Sequence, residues 1–263
     1  MTDTTIQTRG AKIAYTERGR GAINCLFLHY WGGSSSTWKE VMAELDADAR
    51  CVAVDQRGWG RSRSLNGRHD LEVMADDVED VVAALGLTPY VLVGHSMGGK
   101  VAQIVAARGR SSPAGLVLVA PAPPQAMPVS NEQRQAMLAS YQSRAGVEQA
   151  LSILAGRSLD SAQRERVIAD TLAGTPAAKR EWTQHGMIAT VDLGLRNFAG
   201  PVRIVVGELD RVERPEALRA AFAEVLPQAI IETIPEMGHL SPLEKPDAIA
   251  SACRAVASAL MTL

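Results

Sequence analysis

The chain has 263 residues, 46% of them hydrophobic and 21% charged, enough to bury a large apolar core as one domain or a domain with an insertion. Its formal net charge of -2 gives no electrostatic reason to expect nucleic acid or an anionic membrane as partner, and a small neutral substrate fits better. The polar start MTDTTIQTRG lacks the basic and apolar segments of a secretory signal, and no apolar run reaches bilayer length, so cytoplasmic residence with no membrane partner is expected.

In chain order, TIQTRGAKIAYTERG reads as a hairpin of two antiparallel edge strands. Short β-rich runs follow at 23–30 (INCLFLHY), 50–55 (RCVAVD), 90–94 (YVLVG), 115–122 (GLVLVAPA), 202–210 (VRIVVGELD) and 229–235 (AIIETIP). None alternates strictly with polar residues, as expected for parallel strands covered on both faces. Between them, 71–87 places Leu71, Met74, Val78, Val81, Val82 and Leu85 at helical spacing with acidic residues on the other face. The expectation is an α/β fold, a mostly parallel sheet of eight-stranded type flanked by helices. The interval 125–200 carries only helix-compatible sequence, more than one crossover needs, and reads as an inserted helical cap on a core formed by 1–124 and 201–263.

Cys25, Cys51 and Cys253 are too few and too scattered for a zinc motif, and their odd number argues against a disulfide framework; they read as small buried hydrophobes. No cluster has metal-ligand spacing, so neither metal nor organic cofactor is expected.

The stretch YVLVGHSMGGKVAQ admits two readings. Gly94-x-x-x-x-Gly99-Lys100 approaches a phosphate cradle, but Val101 stands where such a loop needs a hydroxyl to hold magnesium. Gly94-x-Ser96-x-Gly98 is a serine on a tight strand-to-helix turn. A serine nucleophile needs a histidine base, and the histidine needs a carboxylate to orient it. Both occur downstream in the required order: Asp210 at the end of a strand run, and His239 in the loop after the next. His29, His69 and His95 precede the serine, and His185 falls in the cap interval. Glu208 and Asp192 are the competing acids, and Asp210 could alternatively cap the helix starting near Pro215.

Together with LHYWGGSSSTW (28–38), VDQRGWGRS (54–62) and GHLSPLEKPD (238–247), these residues resemble the α/β-hydrolase fold superfamily, specifically its small capped serine-esterase branch. The resemblance implies an oxyanion hole formed by the backbone N–H of Met97 and of Trp31. Tyr30 stands where relatives have Gly, so either the Tyr30 or the Trp31 amide supplies the second donor, and both aromatic rings either line the pocket or pack beneath the cap. It also implies that Asp55 and Arg57 tie a loop beside the site, and that the cap lines the pocket, with Met127 among the substrate-binding residues and Met137 and Trp182 reading as core. The expected activity is cofactor-independent cleavage of a small ester or lactone. Carbon–carbon bond hydrolysis and perhydrolysis use the same residues, and a non-catalytic ligand receptor is the rival from another class. Serine rather than aspartate at position 96 argues against dehalogenase and epoxide-hydrolase chemistry.

Overall fold

The computed structural model describes residues 4–191 and 193–261. Its strands are β1 (Thr5–Gln7), β2 (Ala11–Arg18), β3 (Ile23–Leu28), β4 (Ala49–Val54), β5 (Arg63–Ser64), β6 (Tyr90–His95), β7 (Gly115–Val119), β8 (Val202–Gly207) and β9 (Ile230–Ile234). The helices are α1 (Lys39–Glu44), α2 (Leu71–Leu85), α3 (Met97–Arg108), α4 (Asn131–Ser140), α5 (Arg144–Leu154), α6 (Ser161–Ala173), α7 (Pro176–Gln184), α8 (Pro215–Phe222), α9 (Ser241–Glu244) and α10 (Pro246–Leu260).

The described residues form one sheet in the order β1-β2-β4-β3-β6-β7-β8-β9, with β5 paired to β2 off this path. From β4 to β9 the pairing is parallel. The apolar runs explain this layering, because alternate residues of each strand feed two different cores. Leu26, Leu28, Leu92, Leu116 and Ile204 pack on the face covered by α2 and α3; Cys25, Phe27, Val91, Val93 and Val117 pack on the opposite face with residues of α1 and α10.

Two expectations need correction. β1 and β2 are antiparallel as expected, but only β1 borders the sheet, because β2 also pairs with β4, Tyr15 opposite Val54. β9 is not covered on both faces: it is the outer strand beside β8, and Ile230 is 53% exposed.

α2 starts at Asp70, whose side chain accepts from Val73 N–H, and stops at Gly86, which takes the left-handed conformation (φ 60°) that glycine tolerates. Its outer face is only partly acidic, since Asp77 and Glu79 are buried. Asp77 is engaged by Arg57 at 2.6 and 2.8 Å.

Between β7 and β8 the described residues contain helices and turns but no strand. Each helix has a local start signal: capping boxes at Ser130 and Asp160, Ser143 before α5, and Thr175 with Pro176 before α7. These helices contact the loops at the carboxyl ends of the strands. The Tyr141 ring stacks on Trp31 at 3.8 Å, Thr171 Oγ1 donates to the Gly32 carbonyl at 3.0 Å, and the His239 N–H donates to the Leu154 carbonyl at 2.8 Å.

Candidate active site

Ser96 sits alone between β6 and α3 with φ 51° and ψ -113°. Positive φ is unfavourable for a residue with a Cβ, by roughly 1–3 kcal/mol, so the surroundings must enforce it. The Ser96 N–H donates to the Val119 carbonyl at 3.0 Å, and its carbonyl accepts from Lys100 and Ala122, each at 3.1 Å. The flanking glycines allow the close approach this requires. A Cβ at Gly94 would lie 2.5 Å from the Gly98 carbonyl oxygen, and one at Gly98 would lie 2.4 Å from that of Leu28. The turn thus lifts the Ser96 side chain to the carboxyl edge of the sheet, where open α/β folds gather their ligands.

Two other crossovers bring their loops to the same edge. His239 Nε2 lies 3.0 Å from Ser96 Oγ, and His239 Nδ1 lies 2.9 Å from Asp210 Oδ2. Asp210 Oδ1 accepts from the N–H groups of Val212 (2.8 Å) and Glu213 (2.9 Å), so its carboxylate is fixed on both oxygens. All three side chains are buried. Burial alone would lower the His239 value, but the charge and hydrogen bond of Asp210, aided by Glu213 and Glu244, raise it above the ordinary histidine range. This is the electrostatic setting in which an imidazole accepts a proton readily.

The loop after β3 is held just as closely. Gln56 N–H donates to His29 Nε2 at 3.0 Å, which leaves the proton on Nδ1 to donate to the Tyr30 carbonyl at 2.7 Å. That carbonyl also accepts from Gly33 N–H at 3.0 Å. Burial lowers His29 to about 4, so it is neutral and this tautomer persists. Among the described residues, no acceptor engages the amide N–H of Met97, Tyr30 or Trp31. The Tyr30 ring is buried in a cluster with Val147, Leu151, Val167 and Leu240 and lies against His95. Trp31 is stacked on Tyr141.

The remaining candidates lie elsewhere. His69 is half-buried with Nδ1 at the Gly67 carbonyl, and His185 is exposed beside Glu181. Glu208 accepts from Glu236 N–H at 3.3 Å, and Asp192 lies outside the described residues. Asp55 receives Ser35 N–H at 2.7 Å and Arg61 N–H at 3.0 Å, tying the loop after β4. Lys100 is fully buried, its Nζ donating to the Gln125 carbonyl at 3.1 Å rather than facing an open phosphate loop. Met127 and Met137 are half-buried against the main core, and Trp182 is buried in it. Trp182 shares a cavity of about 10 Å³ with Met97, Leu71, Met74 and Ala178. The three cysteines are buried and free; Cys25 and Cys51 are register partners in β3 and β4, and Cys253 of α10 packs in the same apolar cluster. Among the described residues, no group of three or more His, Cys, Asp or Glu side chains is arranged to hold a metal ion, and no helix is long and apolar enough to cross a membrane.

Three contacts around the site escaped the sequence reading: the bond of His95 Nε2 to the His239 carbonyl, that of Gln56 N–H to His29 Nε2, and the bond of Glu213 N–H to Asp210. His95 and Gln56 stand inside quoted motifs and Glu213 three residues after Asp210, but nothing in the sequence marks the contacts they make.

Known proteins carry the same framework. A non-heme haloperoxidase of Rhodococcus erythropolis is 39% identical over 117 residues, 44% of this chain and 42% of that protein. A bifunctional esterase/perhydrolase of Acinetobacter calcoaceticus is 41% identical over 118 residues, 44% of this chain and 43% of that protein. The matched stretch is therefore less than half the length of either relative. A thermophilic esterase from Thermogutta terrifontis superposes with a TM-score of 0.81 at 27% identity, covering 99% of both chains. Residues 25–252 match the model of the Alpha/beta hydrolase family, and to that family the chain belongs.

Proposed function

We propose that the protein is a cofactor-independent serine hydrolase acting on a small ester or lactone, with Ser96, His239 and Asp210 as its catalytic triad. The observation that carries this reading is the unbroken series Ser96 Oγ, His239, Asp210 at 3.0 and 2.9 Å, built on a serine held at positive φ. Ser96 Oγ attacks the substrate carbonyl while His239 Nε2 takes its proton. The developing oxyanion is received by the N–H groups of Met97 and Trp31, each such donor worth roughly 3–4 kcal/mol of barrier. His239 then protonates the leaving oxygen, and Asp210 stabilises the imidazolium in between. Water, deprotonated by His239, releases the acyl group and restores Ser96. Residues 125–200 serve as the cap.

Perhydrolysis is a second reading, favoured by the esterase/perhydrolase and haloperoxidase relatives. Hydrogen peroxide then replaces water as the attacking group on the acyl-enzyme, and a peracid leaves in place of the free acid.

Replacing Ser96 with Ala tests the assignment. Turnover of p-nitrophenyl acetate is expected to fall on the order of a millionfold, and a fluorophosphonate is expected to label the native chain at Ser96 alone. Retention of most of the activity by the variant would refute the triad. Peracid formation from an acyl donor with added peroxide measures the second reading.

A further inference from the structure

Glu213 is a buried carboxyl group that the proposed reaction leaves unused. It lies three residues beyond Asp210, is 5% exposed, and its Oε1 has no hydrogen-bond partner. Its N–H is one of the two that clamp Asp210 Oδ1, so the turn that fixes Asp210 also fixes the base of the Glu213 side chain. Charged or titratable groups from three elements act on its carboxyl: Asp210 on its own turn, His239 on the loop before α9, and Lys100 on α3. A plain buried ion pair would place the Lys100 ammonium on the carboxylate. Instead Lys100 Nζ donates to the Gln125 carbonyl, and Glu213 Oε1 stays unpaired. The carboxyl charge is left to act through space on its other neighbour, His239.

We propose that Glu213 is a positioning residue for the hydrolysis described above, a reading on which this inference rests: a second carboxylate behind the His239–Asp210 pair, it steadies the positive charge His239 acquires from Ser96, while Lys100 favours its charged form. No bond is made or broken at Glu213. Burial pushes it up to about 8, with His239 and Lys100 pulling down and Asp210 pushing further up. Burial likewise lowers Lys100 to about 8, against the pull of Glu213. His239 itself is faced by Asp210, Glu213 and Glu244, with the His95 ring 5.2 Å away. Ionisation of Glu213 therefore adds a negative charge beside the imidazolium in the slightly alkaline range.

The test is the pH profile of kcat/KM for p-nitrophenyl acetate, corrected for spontaneous hydrolysis, between about pH 5.5 and about pH 9.5. The wild-type profile is expected to rise first through His239 and again, several-fold, around pH 8. Glu213→Gln is expected to abolish the second rise and to leave the first limb in place, because Glu213 is protonated over that range. Lys100→Met is expected to move the second rise upward. A Glu213→Gln profile of wild-type shape, merely scaled, overturns the proposal, because a structural role changes amplitude and not shape. If Glu213→Gln fails to fold on thermal melting, Lys100→Met decides, and an unmoved second rise overturns the proposal. Ser96→Ala separates the two claims. A variant that still turns over defeats the hydrolase reading, whereas an inactive one beside an unchanged Glu213→Gln profile defeats this inference alone.

Discussion

The Nε2–H of His95 donates to the backbone carbonyl of His239 across 2.7 Å, with the two rings 5.2 Å apart. The residue preceding the proposed nucleophile thus holds the main chain of the proposed base. Burial keeps the His95 value well below the ordinary range, so the ring stays neutral and its single N–H is committed to this bond. His95→Ala leaves the buried His239 carbonyl with only the long 3.5 Å contact from Ser241 Oγ, costing about 1–3 kcal/mol, and frees the His239 loop. Steady-state kinetics are expected to show a fall in kcat of roughly ten- to a hundredfold with KM little changed. His95→Gln, whose amide N–H can reach the same carbonyl, is expected to recover part of the loss.

The second prediction concerns acid. His29 is neutral in the folded protein, its value lowered by burial to about 4, whereas an unfolded chain binds a proton near pH 6.5. The unfolded state therefore holds more protons between those values, and stability is lost as pH falls from about 6.5 toward 4. This residue alone accounts for up to about 3 kcal/mol at the lower end, and His95 adds in the same direction. Urea unfolding midpoints measured across this range are expected to fall steadily, and a His29→Gln variant to show a shallower slope.

Gly98→Ala is the third. The added Cβ would meet the backbone oxygens of Leu28 at 2.4 Å and His29 at 2.6 Å, and neither is the end of a flexible side chain. The clash pushes the loop bearing Tyr30 and Trp31 away from Ser96. A loss of about 3 kcal/mol or more is expected by calorimetry, together with a fall in kcat. Ala at Gly67, where nothing lies within 4 Å but φ is 74°, is the control for backbone strain without a clash.

Apolar runs reveal the buried strands because a strand covered on both faces has no polar side to show, and Phe27, Val93 and Leu118 illustrate this. The same logic misplaces AIIETIP, since β9 is as apolar as its neighbours yet ends the sheet. The acidic side chains of α2 mislead for a related reason. Asp77 looks like a solvated face until Arg57, twenty residues earlier in the chain, folds over to meet it. At the site, Ser96, Asp210 and His239 are legible as an ordered set because each follows a strand whose carboxyl end reaches the same edge. Glu213, Lys100 and Gln56 are not, since their relevance arises only when three separate loops converge. The Tyr30 ring shows the limit from the other side. Its position in the motif is plain, but its burial beneath α5 and α6 depends on helices that begin more than a hundred residues later.

The three thiols beneath the sheet have a practical corollary. The neighbouring Cys51 thiol and burial push the Cys25 value well up, and burial does the same for Cys253, so neither forms a thiolate in the folded chain. A maleimide or aromatic disulfide in the medium finds no reactive sulfur until α10 lifts from its strands. The rate at which sulfhydryl groups become titratable is then a clock for whole-molecule opening, readable in the native sequence without any introduced label.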